Sequence, residues 1–432
     1  MSFPRYQNCR DSGVEWIGAV PSHWAVQPLK RHARLLTEKT DRRNHPVALE
    51  NIESWTGRFL PTETEFEGQG VAFNPGDVLF GKLRPYLAKA LVAESSGEAV
   101  GDFLVMRPTV AAVSRFLAYG LRSREVISIV DGSTFGSKMP RASWDFVGAM
   151  PTPLPPADEQ TAICTFLDRE TAKIDALVEE QRRLIELLKE KRQAAISQAV
   201  TKGLNPNVPM KDSGVEWIGE APQHWRVSAL GYAARIDSGS TPDRANPHYW
   251  GGSIPWVKTG EVNYDPITQA EECITEAGLQ GSSAKVALPG TLLMAMYGQG
   301  VTRGRVALLE VPAAYNQACA AIHFDIAVEP SFGRYFFMAA YQHVRDGGNE
   351  TSQMNLSTGV IQKFKIAVPP SLEQMAIVDF LDRSIREIEL LIGHADASLF
   401  LMSERRSALI SAAVTGKIDV RGLVPQPEAI AA

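Results

Sequence analysis

The stretch Met296-Tyr-Gly-Gln-Gly-Val-Thr-Arg-Gly304 sets glycines at 298, 300 and 304 behind a strand-like run, a spacing that suggests a backbone cradle for phosphate. No helix pattern follows it, and no acidic residue stands at the distance a dinucleotide site needs, so a nucleotide cofactor is not expected there. No G-x-x-x-x-G-K-[ST] occurs, which removes the phosphate loop of nucleotide hydrolases. The base-holding motifs Asn-Pro-Pro-aromatic and Asp-Pro-Pro-aromatic are also missing, which disfavours a stand-alone DNA methyltransferase. The eight histidines are dispersed. The four cysteines, Cys9, Cys164, Cys273 and Cys319, form no C-x-x-C pair, so neither a metal site nor a disulfide framework is encoded. His23 and His224, each next to a tryptophan, read as packing residues. The chain reads as non-catalytic, with no cofactor of its own.

What remains is a set of basic, polar and aromatic clusters. Phe80-Gly-Lys-Leu-Arg-Pro-Tyr-Leu-Ala-Lys89 places Lys82, Arg84, Tyr86 and Lys89 at near-alternate positions, so an extended strand would project several from one face. A glycine-containing loop adds Lys138 and Arg141. Further along stand Tyr297, Gln299, Thr302, Arg303 and Arg305, then Asn316 and Gln317, then Gln353, Asn355 and Ser357. Arg, Lys, Asn and Gln can bond in pairs to guanine or adenine edges, while hydroxyls and glycine-loop amides suit phosphates. Contact with double-stranded DNA is therefore the expected chemistry, with Arg84 and Arg303 as leading readers of base edges. Charge weighs against a general nucleic-acid coat. The net charge is −5, with 16 Lys+Arg against 14 Asp+Glu in 25–154 and 11 against 12 in 226–368. Phosphate neutralisation supplies much of DNA affinity, so partner subunits would have to contribute it.

The elements that carry these clusters follow from internal repeats. DSGVEWIGAVPSHW at 11–24 returns as DSGVEWIGEAPQHW at 212–225. PPADEQTAICTFLDR at 155–169 returns as PPSLEQMAIVDFLDR at 369–383, and AISQAVT at 195–201 returns as LISAAVT at 409–415. From Asp158 the apolar residues Ile163, Leu167, Ile174, Leu177, Leu184, Leu188 and Ala195 recur at spacings of three, four and seven, the pattern of a coiled-coil seam. Ile377, Leu381, Ile388, Leu391, Ala395, Met402 and Leu409 repeat it. Each segment offers roughly 40 helical residues, on the order of 60 Å. One such stripe alone has nothing to bury against; two in one chain are expected to pack antiparallel. The regions between read as short strands and turns, and both contain a glycine turn ahead of an apolar run, at Gly76 and Gly290. At 432 residues, 44% hydrophobic and 22% charged, with no apolar run of membrane length and no secretory leader at its start, the chain is expected to be soluble and cytoplasmic, without membrane contact.

The expected organisation is a lead-in segment (1–24), a variable region (25–154), a long helix (155–204), the repeated lead-in (205–225), a second variable region (226–368), a second long helix (369–420) and a flexible tail (421–432). The fold class is α+β: two mixed α/β domains separated by two long helices packed as an antiparallel intramolecular coiled coil, a pseudo-twofold tandem repeat. The V-E-W-I-G-x-x-P-x-H-W lead-in, with P-P-x-x-E-Q-x-A-I-x-x-F-L-D opening each long helix, resembles the specificity (S) subunit of type I restriction–modification systems, HsdS. The resemblance implies that the variable regions are target recognition domains, each reading half of an asymmetric bipartite site. It implies helices that set the distance between halves and dock two methyltransferase (M) subunits, with restriction/translocase (R) subunits joining for cleavage. By the same resemblance M methylates adenine with S-adenosylmethionine, and R uses ATP and magnesium. A non-catalytic coiled-coil scaffold binding protein partners is the competing expectation.

Overall fold

In the computed structural model, the structure describes residues 3–62, 68–109, 113–136, 138–298, 301–346 and 356–423. The chain divides into two compact units, residues 1–182 with 396–432 and residues 183–395. Two long helices, Ala157–Lys202 and Ser371–Val414, run on through both units. Among the described residues no helix is long and apolar enough to cross a membrane.

In the first unit the module between lead-in and long helix opens with strand Ala25–Pro28 and closes with strand Pro151–Leu154, paired antiparallel so that Ala25 faces Leu154. Inside lie two four-stranded sheets. The first runs in the order Ala33–Leu36, Phe103–Pro108, Val78–Gly81, Ala90–Val92, antiparallel throughout. The period-two alternation of strand side chains explains its burial on both faces. Val78 and Phe80 meet the helices Val113–Leu121 and Arg124–Gly132 through Leu117, Leu121 and Ile127. Leu79 and Val105 point the other way, onto Phe73, Ala99 and Val47 of the second sheet. Gly76 turns the chain into Val78–Gly81 at φ +88°, a conformation that L side chains avoid.

The second unit repeats this plan on different residues. Strands Arg226–Ala229 and Lys365–Val368 close the module. The first sheet keeps its order as Ala234–Ser238, Cys319–Phe324, Leu292–Ala295, Val306–Leu308, and Gly290 turns into it at φ +84°. The second sheet of each module centres on a strand with one parallel and one antiparallel neighbour, Gly97–Val100 in the first and Ala313–Tyr315 in the second. The modules differ at its edge: the fourth strand joins the antiparallel neighbour in the first module and the parallel neighbour in the second.

The repeated sequence blocks form one structural joint in each unit. Trp24 is 1% exposed and its indole Nε1 donates to Glu159 Oε2 at 3.0 Å, while His23 Nε2 lies 2.8 Å from the same oxygen. In the second unit Trp225 Nε1 donates to Glu373 at 3.1 Å and His224 Nε2 lies 2.7 Å from it. Glu159 and Glu373 are the glutamates of P-P-x-x-E-Q, so the lead-in holds the first turn of a long helix. The neighbouring Gln160 and Gln374 donate to the carbonyls of Pro155 and Pro369, fixing the Pro-Pro corner. Each joint also receives the end of the other long helix. Gly416 (φ +73°) sits where an added Cβ would stand 2.3 Å from Pro21, and Gly203 (φ +74°) lies against Trp225. Around Trp24 the helices meet antiparallel through Ile163, Phe166 and Leu167 on one and Leu409, Ile410 and Val414 on the other. In the second unit Ile196 and Val200 share a core with Ile377 and Leu381.

The expected seam needs correction. Ile163, Leu167, Ile174, Leu188, Ile377, Leu381, Ile388 and Leu409 are buried and Met402 is half-buried, but Leu177, Leu184 and Leu391 are exposed. Their neighbours Val178, Ile185 and Ile392 turn inward instead. A straight helix of 3.6 residues per turn drifts off a strict seven-residue repeat by about 20° per heptad, so that after about two to three heptads the inward position passes to the next residue. Polar pairs span the stripe's middle: Arg406 Nε donates to Asp175 at 2.9 Å in the first unit, and Arg192 pairs with Glu389 in the second.

Candidate nucleic-acid interface

The first module gathers most of its expected contact residues on one edge. Strand Val78–Gly81 ends before the basic cluster, so Lys82, Arg84 and Tyr86 do not share an extended strand. Instead the backbone turns left-handed at Arg84 (φ +50°) and Ala88 (φ +48°) around a 3-10 turn, Pro85–Leu87. Left-handed non-glycine residues cost about 1–2 kcal/mol each and persist where the surroundings hold them. Here the holding is by backbone: Arg84 N donates to Pro140 O at 2.9 Å, and Ala142 N to Lys82 O at 2.8 Å. The 82–88 turn and the segments 133–136 and 138–141 are thereby one rim. Asp102 sits beneath it, accepting from Arg141 Nε at 3.1 Å and Nη2 at 2.9 Å, with Lys82 Nζ at 3.7 Å. That hydrogen bonding raises the already high pKa of Arg141. Arg84 and Lys138 are exposed and, among the described residues, their side chains have no hydrogen-bond or ion-pair partner. Tyr86 is exposed beside them.

Lys89 leaves the cluster. Its Nζ donates to Leu49 O at 2.7 Å, and burial lowers its pKa, so it anchors the Leu49–Asn51 turn. Sequence reasoning missed two apolar members of the rim, Phe135 (79% exposed) and Met139 (48% exposed).

In the second module most of the expected contacts serve the fold. Arg303 Nη2 donates to Arg345 O at 3.1 Å, and Arg305 donates to Asn263 and lies over the Tyr264 ring. Tyr264 in turn meets Tyr341 edge-on, and burial pushes its hydroxyl up to about 12. Asn316 shapes a turn by accepting from Ala318 N and pairing with Thr259. Ser357 caps the helix Thr358–Lys363 by accepting from Val360 N at 3.3 Å. Thr302 and Tyr297 are half-buried, and Gln317 is exposed and accepts from Thr241. Gln299, Gln353 and Asn355 lie outside the described residues.

A further pair of contacts, unforeseen from sequence, fixes each module on its long helix. Tyr119 donates to Asp168 at 2.6 Å, and Tyr335 donates to Asp382. Phe116 and Phe332, three residues before each tyrosine, meet Trp24 and Trp225 at the same 6.4 Å and 82°. The signal was F-x-x-Y in 116–119 and 332–335, facing the Asp of the repeated F-L-D.

Comparison with known proteins agrees with this plan. Residues 222–394 match the family described as type I restriction modification DNA specificity domain. The specificity subunit of the type I restriction enzyme MjaIX of Methanocaldococcus jannaschii is 29% identical over 171 residues, 38% of this chain and 38% of that protein. The aligned stretch thus spans well under two thirds of this relative's length. A solved chain from a study of complex assembly and conformational transition in the type I R-M system has a TM-score of 0.70 at 19% identity, over 92% of this chain and 99% of its own. The HsdS subunit of Thermoanaerobacter tengcongensis gives 0.53 at 18% identity, over 92% and 98%. These two likenesses concern the fold. The chain thus has the fold of those two solved chains along most of its length, and its residues 222–394 carry the match to the type I restriction modification DNA specificity domain.

Proposed function

We propose that the chain is the non-catalytic DNA-specificity subunit of a type I restriction–modification complex acting in the cytoplasm. It binds an asymmetric bipartite site, one half per module, with the long helices as spacer. The observation that carries this reading is one plan, a shared first-sheet order between two closing strands, built twice on a repeated frame with unlike residues in the two modules. Two methyltransferase subunits then methylate adenine with S-adenosylmethionine, and restriction subunits cleave with ATP and magnesium. Exposed Leu187, Leu390, Phe400 and Leu401 on the long helices support docking of partner chains there. Selection of the chain with its methyltransferase partner on mixed-sequence DNA is expected to yield two conserved blocks separated by a fixed gap. Enrichment of no sequence would leave the protein scaffold as the better account.

Arg84 is the first residue to test. Its unpartnered guanidinium can bond a guanine edge through two parallel N–H groups, so Arg84→Ala is expected to cost about 1–3 kcal/mol at one base pair of one half-site. Affinity measured across single-base variants checks it; an equal loss on every variant would mark a phosphate contact instead. Arg303→Ala is expected to behave differently, lowering the thermal stability of the second module by removing its bond to Arg345 O, with no change in which bases are read.

A further inference from the structure

Phe135 is out of place on a monomer surface. A phenylalanine ring gains by burial, and this one is 79% exposed. The backbone keeps it there: Phe135 and Arg141 exchange two hydrogen bonds of 3.4 and 3.3 Å, and Gly136 at φ +95° tightens the loop. Met139 extends the apolar tip. Cations share its rim: Lys138 and Arg84, without side-chain partners among the described residues, and Arg141, held on Asp102. An apolar tip on a rim that also carries positive charge suits a partner with a polyanionic backbone and stackable faces, which is DNA.

We propose that Phe135 is a wedge: in the complex its ring stacks against a base step of the half-site read by the first module and partly opens that step, while Lys138 and Arg84 hold the flanking strand. This rests on the DNA-recognition reading above. The wedge adds sequence preference without a hydrogen bond to any base, because flexible pyrimidine–purine steps open most readily. It acts on one half-site, as a property of Phe135 and the rim of this module.

The test uses the full chain with its methyltransferase partner and duplexes carrying the mapped site, with 2-aminopurine placed singly along the first half-site at every position but the methylated adenine, which a methyltransferase turns out of the stack by itself. The unsubstituted complex is expected to raise fluorescence severalfold at one position. Phe135→Ala is expected to abolish that rise and weaken binding about tenfold, the scale of one aromatic–base stack, while Phe135→Trp keeps the signal. Specific binding with no fluorescent position, or a rise that survives Phe135→Ala, overturns the wedge and leaves DNA recognition standing. Equal binding to scrambled duplex overturns both. Loss of methyltransferase assembly in Phe135→Ala, with the fluorescence rise intact, would assign the ring to a protein contact and overturn the wedge alone.

Discussion

Trp24→Ala is expected to destabilise the unit formed by residues 1–182 and 396–432 by about 3–5 kcal/mol, a large share of the ~5–15 kcal/mol that holds a domain together. The indole fills the space where the lead-in, the start of one long helix and the end of the other converge. It touches Tyr6 and Phe116 edge-on, and the Gly416 turn closes over it. Removing it also takes a donor from Glu159, whose side chain is 3% exposed and accepts from Tyr6, His23 and Trp24 together. Trp24→Phe separates the two contributions. The ring stays, the indole N–H goes, and the expected cost falls to about 1.5–3 kcal/mol, the value of a hydrogen bond to a charged group. Trp225→Ala is expected to cost less than Trp24→Ala. Glu373 is 28% exposed, so water can replace the lost donor. Urea unfolding of the four proteins checks the order. A Trp24→Ala midpoint equal to the unsubstituted one would mean that the joint does not hold the unit together.

The same joint shows how far the sequence could be read. Paired lead-in and P-P-x-x-E-Q blocks announce two copies of something, and helical periodicity gives both long helices with the right partners. That Glu159 and Glu373 tie the two blocks together was equally visible as His-Trp and Glu recurring as a set, yet histidine beside tryptophan reads first as packing. The module cores were less legible. Val78–Gly81 and Leu292–Ala295 are buried on both faces, so alternation, the usual mark of a strand, is erased. Contact residues were hardest, because a charged side chain is freed or tied by partners far along the chain. Lys89 is anchored to Leu49 and Arg303 to Arg345, across 40 and 42 residues. Asp102 holds Arg141 and Lys82, whereas Arg84, two residues on from Lys82, has no side-chain partner among the described residues.

Exchanging residues 25–154 for the corresponding region of a relative is expected to change one half of the methylated sequence completely and leave the other half as it was. The cut points make this physically reasonable. Ala25 and Leu154 are partners in one antiparallel pair, so the module enters and leaves its unit through neighbouring strands, and a graft need only match that short ladder. Nothing in the joint itself is replaced, since Trp24 precedes the first cut and Glu159 follows the second. What the graft must supply is the aromatic pair that seats a module on its helix, Phe116 against Trp24 and Tyr119 on Asp168. A graft keeping F-x-x-Y at that helix is expected to fold and redirect methylation. The same graft with its tyrosine changed to phenylalanine loses one hydrogen bond to a carboxylate, about 1.5–3 kcal/mol of seating, and is expected to methylate the new site less completely. Genome-wide mapping of methylated adenines in cells carrying the chimera reads both outcomes. A change in both halves would mean that the two modules do not read independently, and the repeated frame would then need another explanation.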